Sequence, residues 1–596
     1  MAKTRSRKSV AIGKSVAVDK PLLRLSLSTM RMRALMITIA GGFVVLTAGA
    51  VYAHLGQPDS VAKTASLSTT KTISTKAARG KILDRNGRVL ASSLPASSIS
   101  VDPGTFEQAD KRQVAALAKL LNLSRTQLNK RIKRGSRMYA NLARNVEMSR
   151  VNKIRELRLP GLHIEPEFKR HYPEGASAAQ LIGITNRDDK GQEGIELQTD
   201  EMLQGREGFR KVALDKAGRR IGSISEVRAP QPGQDVHLSI DSRLQFQAYA
   251  ALKEAVKEHQ AKAAGVIVLD VVTGEVLAIS NWPSYDPNDR RKFSPPVMRN
   301  RAIIDRFEPG STMKPFTIAL ALELRKVTPL TLIDTDKGRI TIGPDTIRDT
   351  HPVGVVTVEQ AIQKSSNVAT TKIALDMEAE QLWAFFSAVG IGQPPRVSFP
   401  GATAGSLRPY RKWRPVEQAT MAYGYGLSAS LLQMARAYMI FARDGDLPEI
   451  TLFRRDEVAP GRQIISTRTA RQVRKMIEMA AGPNGTARKS AVVGYRVAGK
   501  TGTSRKLANG KYIKEYASTF VGMVPASAPR LIVATFIDEP KGDKFYAGDV
   551  AAPLFSKVAG HALRQLRIAP DAPVAEIEVP TDGEDPAPIR KGRSRS

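Results

Sequence analysis

The chain has no cysteine. Disulfide staples, thiolate zinc sites and a cysteine nucleophile are therefore excluded. Aromatic residues are sparse, at 6%. No zinc-finger or single-strand-binding pattern accompanies them, which speaks against a nucleic-acid partner. The seven histidines show no ligand spacing, so no metal and no cofactor is expected. Acidic residues are scarce beside basic ones: 57 Asp+Glu against 91 Lys+Arg leave a net charge of +34. Such a chain seeks an anionic polymer or surface, or it carries a solvated basic face. Long apolar runs are also missing, with one exception near the N-terminus. The rest is ordinary globular composition, 42% hydrophobic and 25% charged over 596 residues, enough for three or four domains.

The exception is Ala34–Ala53, ALMITIAGGFVVLTAGAVYA, 20 residues without a charge. At about 1.5 Å per residue it reaches about 30 Å, one hydrocarbon thickness. Nine basic side chains and one acid, Asp19, precede it within the first 33 residues, a local charge of +8. Basic flanks stay in the cytoplasm, so everything after the run is expected outside. A cleaved signal peptide is the competing reading, with Ala48-Gly49-Ala50 as its small-residue site. The long basic region and long apolar stretch favour an uncleaved single-pass anchor.

Composition divides the remainder. The expected organisation is a basic cytoplasmic tail (1–33), a transmembrane helix (34–54), a Ser/Thr/Lys-rich linker (55–78), an N-terminal exported domain (79–234), a larger exported domain (235–565) and a disordered tail (566–596). RGKILDRNGRVLA, Arg79–Ala91, predicts a β hairpin turning at Asn86-Gly87. Helical spacing of apolar residues predicts helices within 107–160, and Gly-rich turns separate short strands over 161–234. After Pro230–Asp235 come a helix over Ser242–Gln260 and two β-branched runs, Gly265–Val271 and Glu275–Asn281, joined at Val272-Thr273-Gly274. Residues 310–485 read as helix and loop, and then three strands return. Two strands, many helices and three strands predict an α+β domain with one antiparallel sheet built from both ends of the segment.

Three short motifs fall in that domain. Glu308–Phe316, EPGSTMKPF, opens a helix with Ser311 in its first turn and Lys314 three residues on, on the same face. Serine is a weak nucleophile and needs a base; a lysine serves when burial and nearby cations lower its pKa. Ser-x-x-Lys alone carries little weight, because Ser60-x-x-Lys63 and Ser68-x-x-Lys71 occur in the linker. Ser365-Ser366-Asn367 follows 54 residues after Ser311, and Lys500-Thr501-Gly502-Thr503 ends a strand-like run. A helix cap or a turn would explain any one of them. All three, in this order and in one domain, form a specific pattern.

This pattern resembles the serine-dependent penicillin-recognising transpeptidases. Arg79–Ala91, Tyr172–Gly183, Glu193–Glu196 and Ser239–Gln245 resemble the pedestal and junction of class B penicillin-binding proteins. Arg299–Pro315, Ala422–Tyr438 and Gly494–Ser504 look like their division-specific, FtsI or penicillin-binding protein 3, type. Elongation-specific relatives usually carry Gly-Gln-Gly where this chain has Gly424-Tyr425-Gly426. The resemblance implies a five-stranded antiparallel sheet and a seryl acyl-enzyme. Ser311 would attack the penultimate D-Ala of a stem peptide, Lys314 would be the acylation base, and Ser365 would relay a proton with Lys500 beside it. Asn367 would bind the peptide amide and orient Lys314. Lys500, Thr501, Gly502 and Thr503 would line the substrate strand, and Lys500, Thr501 and Thr503 would meet its carboxylate. The N–H groups of Ser311 and Thr503 would form the oxyanion hole.

The partners so implied are D-Ala-D-Ala stem peptides, β-lactams, a lipid II polymerase of the SEDS class, divisome proteins and the inner membrane, with the catalytic domain in the periplasm and no nucleic acid. An elongation-specific class B transpeptidase is the first alternative, followed by a D,D-carboxypeptidase, a β-lactamase and a non-catalytic wall scaffold.

Overall fold

The computed structural model describes residues 28–55, 70–136, 139–214 and 220–573. The basic tail before residue 28, linker residues 56–69 and the tail beyond 573 lie outside the described residues. The described chain forms two compact units.

The first unit holds the N-terminal helix Thr29–Leu55. Its Thr29–Tyr52 stretch has a mean hydropathy of 2.1 and buries none of its side chains, so it is long and apolar enough to cross a membrane. Thr38 and Thr47 donate their hydroxyls back to the Ala34 and Phe43 carbonyls at 2.8 and 2.6 Å. Both threonine hydroxyls of the apolar run are thereby satisfied within the helix. A three-stranded sheet belongs to the same unit: Thr70–Thr75, Gly208–Leu214 and Arg220–Arg228, in that spatial order. Thr70–Thr75 falls in the range expected as linker. Its β-branched residues suit a strand, but its partners lie far along the sequence.

The second unit begins at Thr75 and resumes at Ala229. In its N-terminal part Val89–Val101 pairs with Ala140–Glu147 and Leu162–His171. The helices Lys111–Leu120, Arg125–Arg134 and Met148–Glu156 pack Leu117, Leu128, Val151 and Ile154 against Ile99 and Val101. The expected Asn86-Gly87 turn is present, with Gly87 at φ +80°. One Asp84 carboxylate oxygen accepts from the Asn86 and Arg88 N–H groups, each at 2.8 Å. The other accepts from the N–H and hydroxyl of Ser242, at 3.1 and 2.8 Å. The turn is thus fastened to α1, Ser242–Glu258.

The catalytic sheet has five antiparallel strands: β1 Ala263–Asp270, β2 Val276–Trp282, β3 Ala498–Ala508, β4 Lys511–Val524 and β5 Leu531–Asp538. Their order is β2-β1-β5-β4-β3, so strands from both ends of the segment meet at the β1–β5 pair. Both faces are covered, which explains the continuous apolar runs. Val266 and Val268 pack with α1 and α6 (Ala547–Gln565), whereas Ile267 and Leu269 join the core of the intervening helices. Four of those helices matter below: α2 Lys314–Glu323, α3 Val358–Lys364, α4 Asn367–Leu375 and α5 Thr467–Ala481.

Two sequence expectations need adjustment. The 310–485 region also contains three two-stranded ribbons, such as Arg339–Ile342 with Asp345–Arg348. Residues 566–573, expected as part of a disordered tail, dock on the domain. Leu566 and Ile568 pack against the α1–α6 layer. Asp571 accepts from the Arg496 N–H at 2.7 Å and the Ser527 hydroxyl at 2.6 Å.

Candidate active site

Ser311 lies in a 3-10 turn, Gly310–Met313, that runs directly into α2. Side chains three apart eclipse in such a turn, so Ser311 and Lys314 stack on one side. The turn rests on β3 because residue 502 is glycine: a Cβ there would stand 2.4 Å from the Pro309 carbonyl oxygen. Gly424 supports it from the other side, accepting from the Gly310 N–H at 3.1 Å. With φ at +87° and a would-be Cβ 2.2 Å from the Gly310 oxygen, only glycine fits at 424.

Ser311 is half-buried, and its hydroxyl makes no hydrogen bond among the described residues. Lys314 and Lys500 are fully buried. Between them sits Ser365, the C-cap of α3, at φ 60° in the left-handed region. The Lys314 amine donates to the Ser365 carbonyl and, at 3.2 Å, to its hydroxyl. The Lys500 amine reaches the same hydroxyl at 2.9 Å and the Thr501 carbonyl at 3.2 Å. Burial pushes Lys500 down to about 7. Lys314 falls well below the ordinary lysine range, through burial first and then the neighbouring charge of Lys500; Asp349 opposes the fall. A lysine with a lowered pKa suits a general base; the hydroxyl that Lys314 touches is that of Ser365.

The Ser-x-Asn segment is held by a residue that no motif pointed to. Asp349 accepts from the N–H groups of Asn367 and Val368 and from the Ser366 hydroxyl, at 2.8 Å for the last. It thus caps α4 from a distant ribbon and brings a negative charge toward Lys314. Asn367 departs from the expectation that it orients Lys314: its side-chain amide donates to the Arg348 carbonyl at 2.8 Å, and it is Ser365 that holds the amine. The threonines also have partners of their own. The Thr501 hydroxyl pairs with that of Thr486 at 2.9 Å, and the Thr503 hydroxyl accepts from the Ala547 N–H at the start of α6, also at 2.9 Å. The eight candidate residues of the three motifs thus gather beside the first half of β3, although they come from five elements: the 3-10 turn, α2, the C-cap of α3, α4 and β3 itself.

Comparison with known proteins agrees with this geometry. The penicillin binding protein transpeptidase domain matches residues 264–560, and the penicillin-binding protein dimerisation domain matches residues 74–238. The chain is 42% identical to the probable peptidoglycan D,D-transpeptidase PenA of Neisseria gonorrhoeae, over 85% of this chain and 87% of that protein. The chain belongs to the class B penicillin-binding proteins. It is 37% identical to the peptidoglycan D,D-transpeptidase FtsI of Escherichia coli K12, over 86% of this chain and 88% of that one. A solved transpeptidase domain of Burkholderia pseudomallei penicillin-binding protein 3 is 46% identical, with a TM-score of 0.53, covering 56% of this chain and 98% of that one. These relatives are of the FtsI type, as Arg299–Pro315 and Gly424-Tyr425-Gly426 suggested.

Proposed function

We propose that this class B penicillin-binding protein is a septal peptidoglycan D,D-transpeptidase working through an ester on Ser311. The observation that carries the reading is the Ser365 hydroxyl shared by two buried lysines, beside a serine three residues before one of them. Ser311 Oγ attacks the carbonyl carbon of the penultimate D-Ala and passes its proton to Lys314 Nζ. The tetrahedral adduct, held by the N–H groups of Ser311 and Thr503, collapses as the C–N bond breaks. The departing D-Ala amine takes a proton through Ser365, with Lys500 stabilising the charge. An amine of a second stem peptide then attacks the ester and loses its proton to Lys314, which passes it to Ser311 Oγ as the ester C–O bond breaks. Asn367 contacts the peptide amide once its bond to Arg348 is exchanged, and Thr501 and Thr503 meet the terminal carboxylate along β3. β-Lactams acylate the same serine.

Labelled penicillin is expected to attach to the wild type and not to Ser311→Ala; label on that variant would sink the reading. The N-terminal helix and its basic flank support a single-pass protein of the inner membrane, N-terminus in the cytoplasm and catalytic domain in the periplasm. The FtsI-type relatives and the Gly-Tyr-Gly segment support a septal role, and with it a SEDS-class polymerase and divisome proteins as partners. A functional fluorescent fusion should collect at midcell; a fusion spread along the side wall would favour the elongation reading instead.

A further inference from the structure

The N-terminal part of the second unit carries an excess of positive charge that the acyl-transfer site does not use. Residues 103–158 hold 14 Lys and Arg against four Asp and Glu, a local charge of +10. Arg137 lies outside the described residues, and Arg144 is half-buried and paired with Glu167 and Asp188. The other 12 cations are exposed, and among the described residues none of them forms an ion pair. Five stand on the helix Arg125–Arg134 alone. Arg125 and Arg131 donate to the backbone carbonyls of Lys111 and Leu142, which holds the guanidinium groups without cancelling their charge. Of the four carboxylates, Asp110 caps the helix Lys111–Leu120 and Glu147 pairs with Lys169. The helices Lys111–Leu120, Arg125–Arg134 and Met148–Glu156 share one core through Leu117, Leu128, Val151 and Ile154. Their inner sides are thus fixed, and their outer sides present the cations to solvent on a packed support.

The chemistry of the partner follows from what this face lacks. Among the described residues of the segment, Tyr139 and Met148 are the only large apolar side chains exposed, at 43% and 39%. A protein partner needs apolar or aromatic anchors at the centre of its interface, and a membrane-inserting face needs a row of them. A second copy would set like charge against like. A long polyanion needs no such anchor, because it binds through many weak contacts that each release counterions. The polyanion within reach of an exported wall-synthesis enzyme is the wall itself, whose stem peptides bear carboxylates. We infer that the three-helix face of residues 103–158 is a second, non-catalytic site that holds the carboxylate-bearing wall polymer by charge. None of the three catalytic motifs lies in it. The choice of polymer rests on the proposed wall-synthesis function.

The test uses the full-length protein in detergent, with Ser311 already acylated by penicillin so that binding through the active site is blocked. The probe is purified sacculi, native or with their carboxyl groups converted to neutral amides. The wild type should sediment with native sacculi, and its retention should fall as salt rises. Lys119, Lys130, Lys133 and Lys153 are exposed and pair with nothing among the described residues. Replacing all four by Gln should weaken binding about tenfold or more, the scale set by a few basic side chains on an anionic surface. Replacing all four by Arg should preserve it, which separates charge from damage to the helices. Amidated sacculi should hold the wild type no better than the Gln variant. Penicillin labelling of each preparation beforehand tests the acyl-transfer reading separately and reports a folded catalytic unit. Equal binding of wild type and Gln variant to native sacculi overturns the inference, as does retention that ignores salt or survives amidation. Transfer of the wild type, but not the Gln variant, from sacculi to added phosphatidylglycerol vesicles also overturns it, because the face would then belong to a lipid surface.

Discussion

At Ser365 two buried amines share one hydroxyl, and the left-handed backbone there costs about 1–2 kcal/mol for a residue other than glycine. That arrangement fixes the sign of two pH effects. If Lys314 is the base, as proposed, it acts when unprotonated, so acylation should fall as pH drops through its pKa. The charge of Lys500 lowers that pKa and the charge of Asp349 raises it. Lys500→Gln should therefore move the acid limb of penicillin acylation to higher pH, and lower the rate by about a hundredfold or more. Asp349→Asn should move the limb to lower pH. Second-order acylation rates measured across pH decide it, and limbs that move in the same direction would refute the assignment of Lys314 as base. The eight motif residues were legible in the sequence because their spacing within each motif is short. Asp349 was not: its role exists only after a ribbon folds back over the α4 N-terminus. The partners of Asn367 and Thr503 were hidden for the same reason, since Arg348 and Ala547 are brought near only by the tertiary fold.

Among the elements, the strands were readable where both faces are buried, because Val266–Leu269 and Leu531–Ile537 are unbroken β-branched and apolar runs. Thr70–Thr75 escaped, having no apolar period and no partner nearby in sequence. Ion-paired elements escaped as well. Glu196, on the short helix Gly194–Gln198, is fully buried between Arg79 and Arg170, whose Nε atoms lie 2.7 and 2.6 Å from its two oxygens. Nothing in the local sequence pairs residues this far apart. Removing one partner of such a cluster strands the others away from water. Glu196→Ala should cost about 3–5 kcal/mol in chemical unfolding of the second unit; a change within a few tenths would mean that water replaces the carboxylate. Gly502→Ala tests the seat of the nucleophile turn. The 2.4 Å approach to Pro309 cannot persist with a methyl group present, so penicillin acylation should fall while α2 and the sheet remain folded, as circular dichroism would register.

On the scale of the whole molecule, the net charge of +34 divides between two tasks. The first 33 residues supply +8 beside the one helix, among the described residues, long and apolar enough to span a bilayer, and the remainder belongs to a protein whose proposed substrate is a carboxylate-bearing wall polymer. If the helix Thr29–Leu55 is the attachment, deleting residues 1–55 should release the protein to the soluble fraction. Its exposed face of Leu, Ile, Val and Phe has no other described partner, and its loss leaves the Thr70–Thr75 strand in the chain. None of the three catalytic motifs lies in the deleted segment. The truncated protein should therefore still take labelled penicillin at Ser311, while the full chain sediments with membranes and resists an alkaline wash. Retention of the truncated protein on membranes would show that a second surface, outside the helix, contributes attachment. Loss of labelling on release would show that the anchored segment is needed to hold the catalytic unit in its active form.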